Sequence, residues 1–515
     1  MQNLTLEVPT QDGVRLATSV LTPDTGGPWP VIIARTPYSR KALLPRLAPL
    51  CDHGYSVLVQ DVRGTGDSGG ALDLIRQEPG DAIDTAKWLL SQPFCNGSLG
   101  ILGLSYLGAA SISIASTYKN NVKACVWVSP VIGEGNLFTE NGAVRLHHNL
   151  PWMALGHPKF RDTDWKKTYR HLPLEDALDA AGIHNPTWRL LCRHWDEWWA
   201  SRDLSAYYRE TSVPGLHFAG FWDFMADSAV RAYDLLRASG SRQLMVMGPW
   251  SHNGIAGETT KTAYADYGLS SSPRFSERML QWFNHWFKGD PLPDDLSEPV
   301  SAYIPGAGWV HTAGWPPPES SRKVFYIGGG TLLTSPSLQG EVHFEYDPAR
   351  PVPTEGGAVW EFPRAGLEPG PATVTSGNRP DVLVFRSLPL PEALCCLGPA
   401  SITLFVGSTA PSTDFTAKLV DEDPEGNGRI VADTIYRWKQ GSGQEIALDF
   451  PAIGHLFNKG HRVRLDISSS NFPKFDRNLN TGVSGLVSEE MTVARQTVRF
   501  GETTPSRLSL TAIQV

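Results

Sequence analysis

Residues 100–108 read Gly-Ile-Leu-Gly-Leu-Ser-Tyr-Leu-Gly, with Ser105 between glycines straight after an apolar run. A serine so placed could be a nucleophile on a sharp strand-to-helix turn. Its hydroxyl is weak until a base takes the proton, and the base needs an acid to orient it. Candidates follow in order. Asp223 comes directly after the apolar segment 216–220, and His252 follows 243–247 within Gly-Pro-Trp-Ser-His-Asn-Gly. Serine, acid, histidine is the order that puts all three at the ends of successive strands of one α/β sheet. Asp227 is a rival acid about one helical turn further on. Taken singly, Asp223 also suits a helix N-cap, His252 a turn, and Ser105 a glycine-rich loop. A tetrahedral intermediate needs two donors for its oxyanion. The N–H of Tyr106, next after the serine, is one. No His-Gly-Gly-Gly segment supplies the second, so the hydroxyl of Tyr38, in Arg35-Thr36-Pro37-Tyr38-Ser39, is the candidate.

These residues need a scaffold. Segment 13–22 alternates apolar and polar residues as an antiparallel strand does, and 30–34, 56–60, 99–104 and 122–131 are short, apolar and β-branched. Helical spacing lies between them, at 81–90 and 106–116. That alternation predicts a mostly parallel α/β sheet. From 133 to 210 the spacing turns helical and Trp-rich, as in a helical insertion. The α/β rhythm resumes over 211–298, with strands at 215–220 and 243–247 and helices at 228–238 and 277–287. From 299 to 515 no convincing helix remains, and short alternating strands between Pro/Gly turns predict an all-β sandwich or jelly roll.

Composition narrows the function. The chain has 515 residues and a formal charge of −8, so two or three domains are expected and no basic nucleic-acid footprint is present. Six scattered cysteines without CxxC argue against a disulfide framework, and no apolar run approaches a membrane span. The first residues have neither a basic nor an apolar leader, so a cytoplasmic protein without a membrane partner is expected. Gly64-Thr-Gly-Asp-Ser-Gly69 spells GxGxxG, but Gly70 and Gly80 leave little room for the helix a dinucleotide site needs. Asp421-x-Asp423-x-Glu425-Gly426 starts like a calcium loop, but Ala432 stands at its twelfth position, which favours a hairpin turn. His147-His148 has no carboxylate at metal-ligand spacing and suits the surface or the cap. No metal or cofactor is expected.

The chain resembles the cocaine esterase / α-amino acid ester hydrolase / X-Pro dipeptidyl-peptidase (CocE/NonD) group of serine hydrolases. The matching pieces are RTPYSR (35–40), QDVRGTGDSGG (60–70), GLSYLGAAS (103–111), GFWDFMADS (220–228), MGPWSHNG (247–254), STDFTAKLVDEDPEG (412–426) and HRVRLDISSSNFPKFDRNLNTG (461–482). The resemblance implies an α/β-hydrolase core (1–132 and 211–298), a helical cap (133–210) and a C-terminal jelly-roll, galactose-binding-like domain (299–515). It implies Ser105, Asp223 and His252 as the triad, with the Tyr38 hydroxyl and Tyr106 N–H as oxyanion hole. The expected partner is a small-molecule ester, with Phe224, Trp152 and Trp199 as candidate pocket walls; a homodimer is compatible with it. Amide or peptide hydrolysis and acyl transfer are the nearer alternatives, a carbohydrate-binding β-sandwich the distant one. In the α-amino acid ester hydrolases, carboxylates shortly after the catalytic Asp bind the substrate's ammonium. Here Phe224, Met225 and Ala226 stand there, so a neutral apolar or aromatic acyl group is expected. Asp227, Glu140 or Asp196 could reach the site from elsewhere.

Overall fold

A computed structural model describes residues 1–133, 138–362, 366–442 and 444–514. Residues 134–137 of the expected cap and residues 363–365, 443 and 515 of the expected β domain lie outside them. Twelve strands build the first part: β1 (Gln2–Pro9), β2 (Arg15–Thr22), β3 (Trp29–Thr36), β4 (Ser56–Asp61), β5 (Cys95–Leu104), β6 (Val122–Val128), a cap hairpin of β7 (Thr139–Glu140) and β8 (Ala143–Val144), β9 (Gly215–Gly220), β10 (Gln243–Gly248), β11 (Val300–Ile304) and β12 (Gly308–Thr312). All but the hairpin form one sheet in the order β1-β2-β4-β3-β5-β6-β9-β10-β11-β12. From β4 to β11 neighbouring strands run parallel.

Side chains alternate across the sheet as the strand period requires. In β5, Leu99 and Ile101 join the core on one face, beneath the helices Glu78–Leu90 and Ile112–Thr117 and the cap. Leu102 joins the core on the other face, beneath helix Phe275–Lys288 through Met279, Trp282 and Phe283.

Several expectations are corrected. The helix expected at 106–116 is two, Tyr106–Ala109 and Ile112–Thr117, because the Arg35 guanidinium takes the Ala110 carbonyl at the break. The strand expected to reach 131 stops at Val128, where Ser129 turns to φ 40°. The α/β sheet also runs past residue 298. β11 pairs parallel to β10, and β12 closes that edge antiparallel. Alternation shows a hairpin there but not which sheet receives it.

Beyond Thr312 two antiparallel sheets face each other. One holds β13 (Ser321–Ile327), β14 (Leu332–Leu333), β15 (Gly340–Tyr346), β17 (Leu394–Ser408), β20 (Glu445–Phe457), β22 (Ala494–Phe500) and β23 (Arg507–Ile513). The other holds β16 (Leu383–Arg386), β18 (Ser412–Glu422), β19 (Gly428–Lys439) and β21 (Arg462–Ser468). Leu404, Leu448 and Leu508 pack across to Phe415, Leu419 and Leu465. These strands are not all short: β17 has 15 residues and β20 has 13. Among the described residues no helix is long and apolar enough to cross a membrane, and no group of three metal-ligating side chains occurs. The six cysteines are free thiols.

Candidate active site

Ser105 leaves β5 at φ 53° and ψ −122°, a conformation unusual for a residue with a side chain. Its flanking glycines explain how the chain gets there. A Cβ on Gly103 would lie 2.3 Å from the Trp127 ring, and one on Gly108 2.5 Å from Pro130. Only glycine fits either position, so the turn closes tightly and the serine projects from it. Asp223 follows β9 and His252 follows β10. In the sheet β6 lies between β5 and β9, and β10 lies on the far side of β9; all four run parallel, so the three residues emerge along one sheet edge.

Asp223 and His252 are a bonded pair. His252 Nδ1 lies 2.9 and 3.0 Å from the two carboxylate oxygens of Asp223. Oδ1 also accepts the Met225 N–H at 2.8 Å, and Oδ2 the Ser129 hydroxyl at 2.6 Å. Burial by itself lowers the pKa of His252. The charge and hydrogen bond of Asp223, with Glu361 further out, outweigh it and raise the histidine above its ordinary value. Asp223 also serves the turn before helix Ala226–Arg237, since the Ala226 N–H reaches its carbonyl. The rival Asp227 lies inside that helix, with the backbone of Ala452 as a partner.

Ser105 Oγ faces Met225 Sδ at 3.8 Å and the Tyr38 hydroxyl, and it makes no hydrogen bond to His252. Such contacts are commonly loose before substrate binds. Trp152 Nε1 donates to the Tyr38 oxygen at 3.2 Å, which leaves that hydroxyl's own proton free to point at the serine. Although Tyr38 is 43% exposed overall, desolvation at its hydroxyl pushes the pKa up to about 12, against the pull of Trp152 and Ser105, so it remains a donor at neutral pH. The Tyr106 hydroxyl accepts the Ile75 N–H and donates to Glu78, whose other oxygen pairs with Arg35 at 3.0 Å, fully buried. One charged chain therefore ties the turn carrying Ser105 to the strand that leads to Tyr38.

The GxGxxG stretch serves the same loop. Gly66 lets the backbone pass over Asp61, where a Cβ would lie 2.2 Å from the carboxylate. Asp61 accepts the Arg40 N–H and pairs with its guanidinium, at 2.6 and 2.5 Å, just beyond Tyr38. No helix opens at Gly69, and the phosphate cradle of a dinucleotide site is not formed.

Tyr38, Ser105, Tyr106, Val131, His148, Trp152, Phe224 and Trp360 wall one cavity. Trp152 and Phe224 are among these walls. Trp199 does not line it. It stacks on Phe138 at 3.4 Å, one ring behind Trp152. His147 and His148 belong to the cap but are buried. His147 bridges the Trp360 carbonyl and the Tyr169 hydroxyl. Sequence reasoning missed Trp360 and Glu361, which enter from the C-terminal part. Trp360 stacks on Phe224 at 5.7 Å, and Glu361 accepts the Asn253 N–H at 3.4 Å. Burial pushes Glu361 up to about 7, against its own N–H and His252. Their only trace is an apolar Val-Trp-Glu-Phe island in a Pro/Gly-rich stretch.

The family model described as X-Pro dipeptidyl-peptidase (S15 family) matches residues 12–254, and that of the X-Pro dipeptidyl-peptidase C-terminal non-catalytic domain matches 295–509. The cocaine esterase of Rhodococcus sp. (strain MB1 Bresler) is 30% identical over 572 residues, covering 98% of each chain. The chain belongs to this S15 family of serine hydrolases. Two solved structures share its fold over 99% of this chain and 96% of theirs. One is an α-amino acid ester hydrolase, with TM-score 0.87 and 24% identity. The other is an aminopeptidase from the marine sediment archaeon Thaumarchaeota archaeon, with TM-score 0.86 and 22% identity. Both family models keep their order in this chain, and Trp360 reaches the Ser105 cavity, with Glu361 beside it against the Asn253 N–H, from the region matched by the one described as non-catalytic.

Proposed function

We propose that the protein hydrolyses carboxylic esters through an acyl-enzyme on Ser105. The observation that carries this reading is the forced conformation of Ser105 beside a donor hydroxyl, along the strand edge that holds a bonded Asp–His pair. Ser105 Oγ attacks the ester carbonyl carbon while His252 Nε2 takes its proton. The carbonyl oxygen becomes an oxyanion held by the Tyr38 hydroxyl and the Tyr106 N–H. Collapse expels the alcohol, which takes the proton from His252. Water then attacks the acyl group with His252 again as base, and the acid leaves. The cocaine esterase relative supports ester chemistry in particular.

Replacing Tyr38 by Phe is expected to lower kcat by roughly 10²–10³, the usual cost of one oxyanion donor. KM should change little, since the ring and its packing remain. Steady-state kinetics on a p-nitrophenyl ester give the answer, and an unchanged kcat means that Tyr38 only packs.

The cavity wall carries no carboxylate. Glu140 is paired with Arg145 at 2.9 Å, and Asp196 lines a different cavity, with Arg193 and Arg437. A substrate ammonium would therefore be buried without a counter-charge, which costs far more than burying a neutral group. Phenylacetyl methyl ester is accordingly expected to exceed phenylglycyl methyl ester in kcat/KM by at least about tenfold below the amine's pKa. The same argument disfavours peptides with a free amino terminus. A preference for the phenylglycyl ester would mean that Glu361 reaches the ammonium past Trp360.

A further inference from the structure

His148 sits in the wall of the cavity that holds Ser105, among Phe138, Trp152, Phe224 and Trp360, with ring centroids 4.6–6.0 Å away. A histidine in an aromatic wall needs an account of its two nitrogens. Nδ1 lies 3.1 Å from Oδ1 of Asn149, the next residue on the same helix. The orientation of that amide is fixed from its other end. Asn149 Nδ2 donates to the Phe138 carbonyl at 2.7 Å, and a carbonyl can only accept. The atom facing His148 is therefore the amide oxygen, and Nδ1 must carry the hydrogen that it accepts. In a neutral imidazole the other nitrogen is then a bare acceptor.

The ring is neutral at ordinary pH. Burial lowers its pKa well below the usual histidine value, and the charges of Arg145 and His252 add to that, against the Asn149 hydrogen bond. His148 lines the cavity, and with Nδ1 turned back to its own helix the edge of the ring that keeps accessible surface is the one that carries Nε2. Among the described residues Nε2 has no hydrogen-bond partner, although His148 is only 6% exposed. His147 beside it differs in this respect: both of its nitrogens are engaged.

We propose that His148 Nε2 is a specificity-determining acceptor, and that the group bound in the aromatic cavity carries a neutral hydrogen-bond donor, a hydroxyl or an amide N–H, that meets it. This rests on the ester-hydrolase reading and narrows its substrate class. An otherwise aromatic wall with one acceptor distinguishes a hydroxylated aromatic acyl group from its parent. A buried acceptor left unmet disfavours the parent.

The experiment compares p-nitrophenyl phenylacetate with its mandelyl and 2-, 3- and 4-hydroxyphenylacetyl counterparts, in the unaltered protein and in His148→Phe. The quantity read is the ratio of kcat/KM for each hydroxylated ester to its parent, so a general loss in the variant cancels. In the unaltered protein at least one ratio should be roughly ten, and in His148→Phe it should fall to about one. Isothermal titration of the corresponding acids into Ser105→Ala gives the same ratio as binding, and it reads His148 even if no ester is turned over. A missing hydroxyl preference in both assays overturns the proposal, as does a preference that survives in His148→Phe. If His148→Phe does not fold, the ratio in the unaltered protein decides alone. Absent ester turnover with a hydroxyl preference intact in titration would instead count against the ester-hydrolase reading and leave the role of His148 standing.

Discussion

Ser105→Ala should lower kcat by roughly 10⁶, the scale on which loss of the nucleophile removes triad catalysis in a serine hydrolase. The fold should survive, and the reason is local. The positive φ at Ser105 is imposed by the fit of Gly103 against Trp127 and of Gly108 against Pro130, and alanine leaves both contacts in place. The lost hydroxyl had only Met225 Sδ and the Tyr38 hydroxyl as partners; a thioether is a weak acceptor that tolerates the loss, and Tyr38, 43% exposed, can turn its proton to water while its oxygen keeps the Trp152 N–H. A melting temperature close to that of the unaltered protein is therefore expected beside the loss of activity. A fluorophosphonate probe should label Ser105 in the unaltered protein and nothing in the variant. Residual turnover above about one per cent of the original would remove Ser105 from the mechanism, since the oxyanion donors and binding alone leave far less than that.

The legible part of this protein is the part built from strands with short connections. Ser105, Asp223 and His252 each follow an apolar, β-branched run within a few residues, so their chain order translates directly into neighbouring places on one sheet edge. The order of residues hides what depends on contacts between distant segments. Val300–Ile304 reads as one more sandwich strand, and only its parallel pairing with β10 places it in the first sheet. Trp199 and Trp152 both sit on cap helices with apolar neighbours. Which of them reaches the cavity depends on Phe138 lying between them. Trp360 and Glu361 come from a coil without periodicity, and their approach to His252 depends on docking that includes the His147–Trp360 hydrogen bond. The GxGxxG stretch shows the converse. Its glycines are required by close backbone approach, as in a phosphate loop, but the approach is to Asp61 and not to a ligand.

Asp223→Asn is expected to lower kcat by about 10⁴ while leaving the fold intact, through the tautomer of His252. The Met225 N–H donates to one oxygen of Asp223 and cannot do otherwise. In the variant that donor holds the amide oxygen, so the amide nitrogen takes the place of Oδ2, beside Ser129 and His252. Ser129 adapts, because its hydroxyl can turn and accept. His252 cannot adapt without cost. Its Nδ1 then stands between the amide oxygen at 2.9 Å and the amide N–H, and the tautomer that the carboxylate excluded, with Nδ1 accepting and the proton on Nε2, becomes available. An imidazole protonated at Nε2 can no longer receive the proton of Ser105, and the imidazolium loses the carboxylate that raises its pKa. The packing around residue 223 is unchanged in volume, so KM for a small ester and the melting temperature should stay near their original values. Measuring kcat for p-nitrophenyl phenylacetate with both proteins tests this. A loss smaller than about tenfold would mean that the histidine is oriented by another acid, and Glu361, which already lies against the Asn253 N–H, would be the residue to replace next.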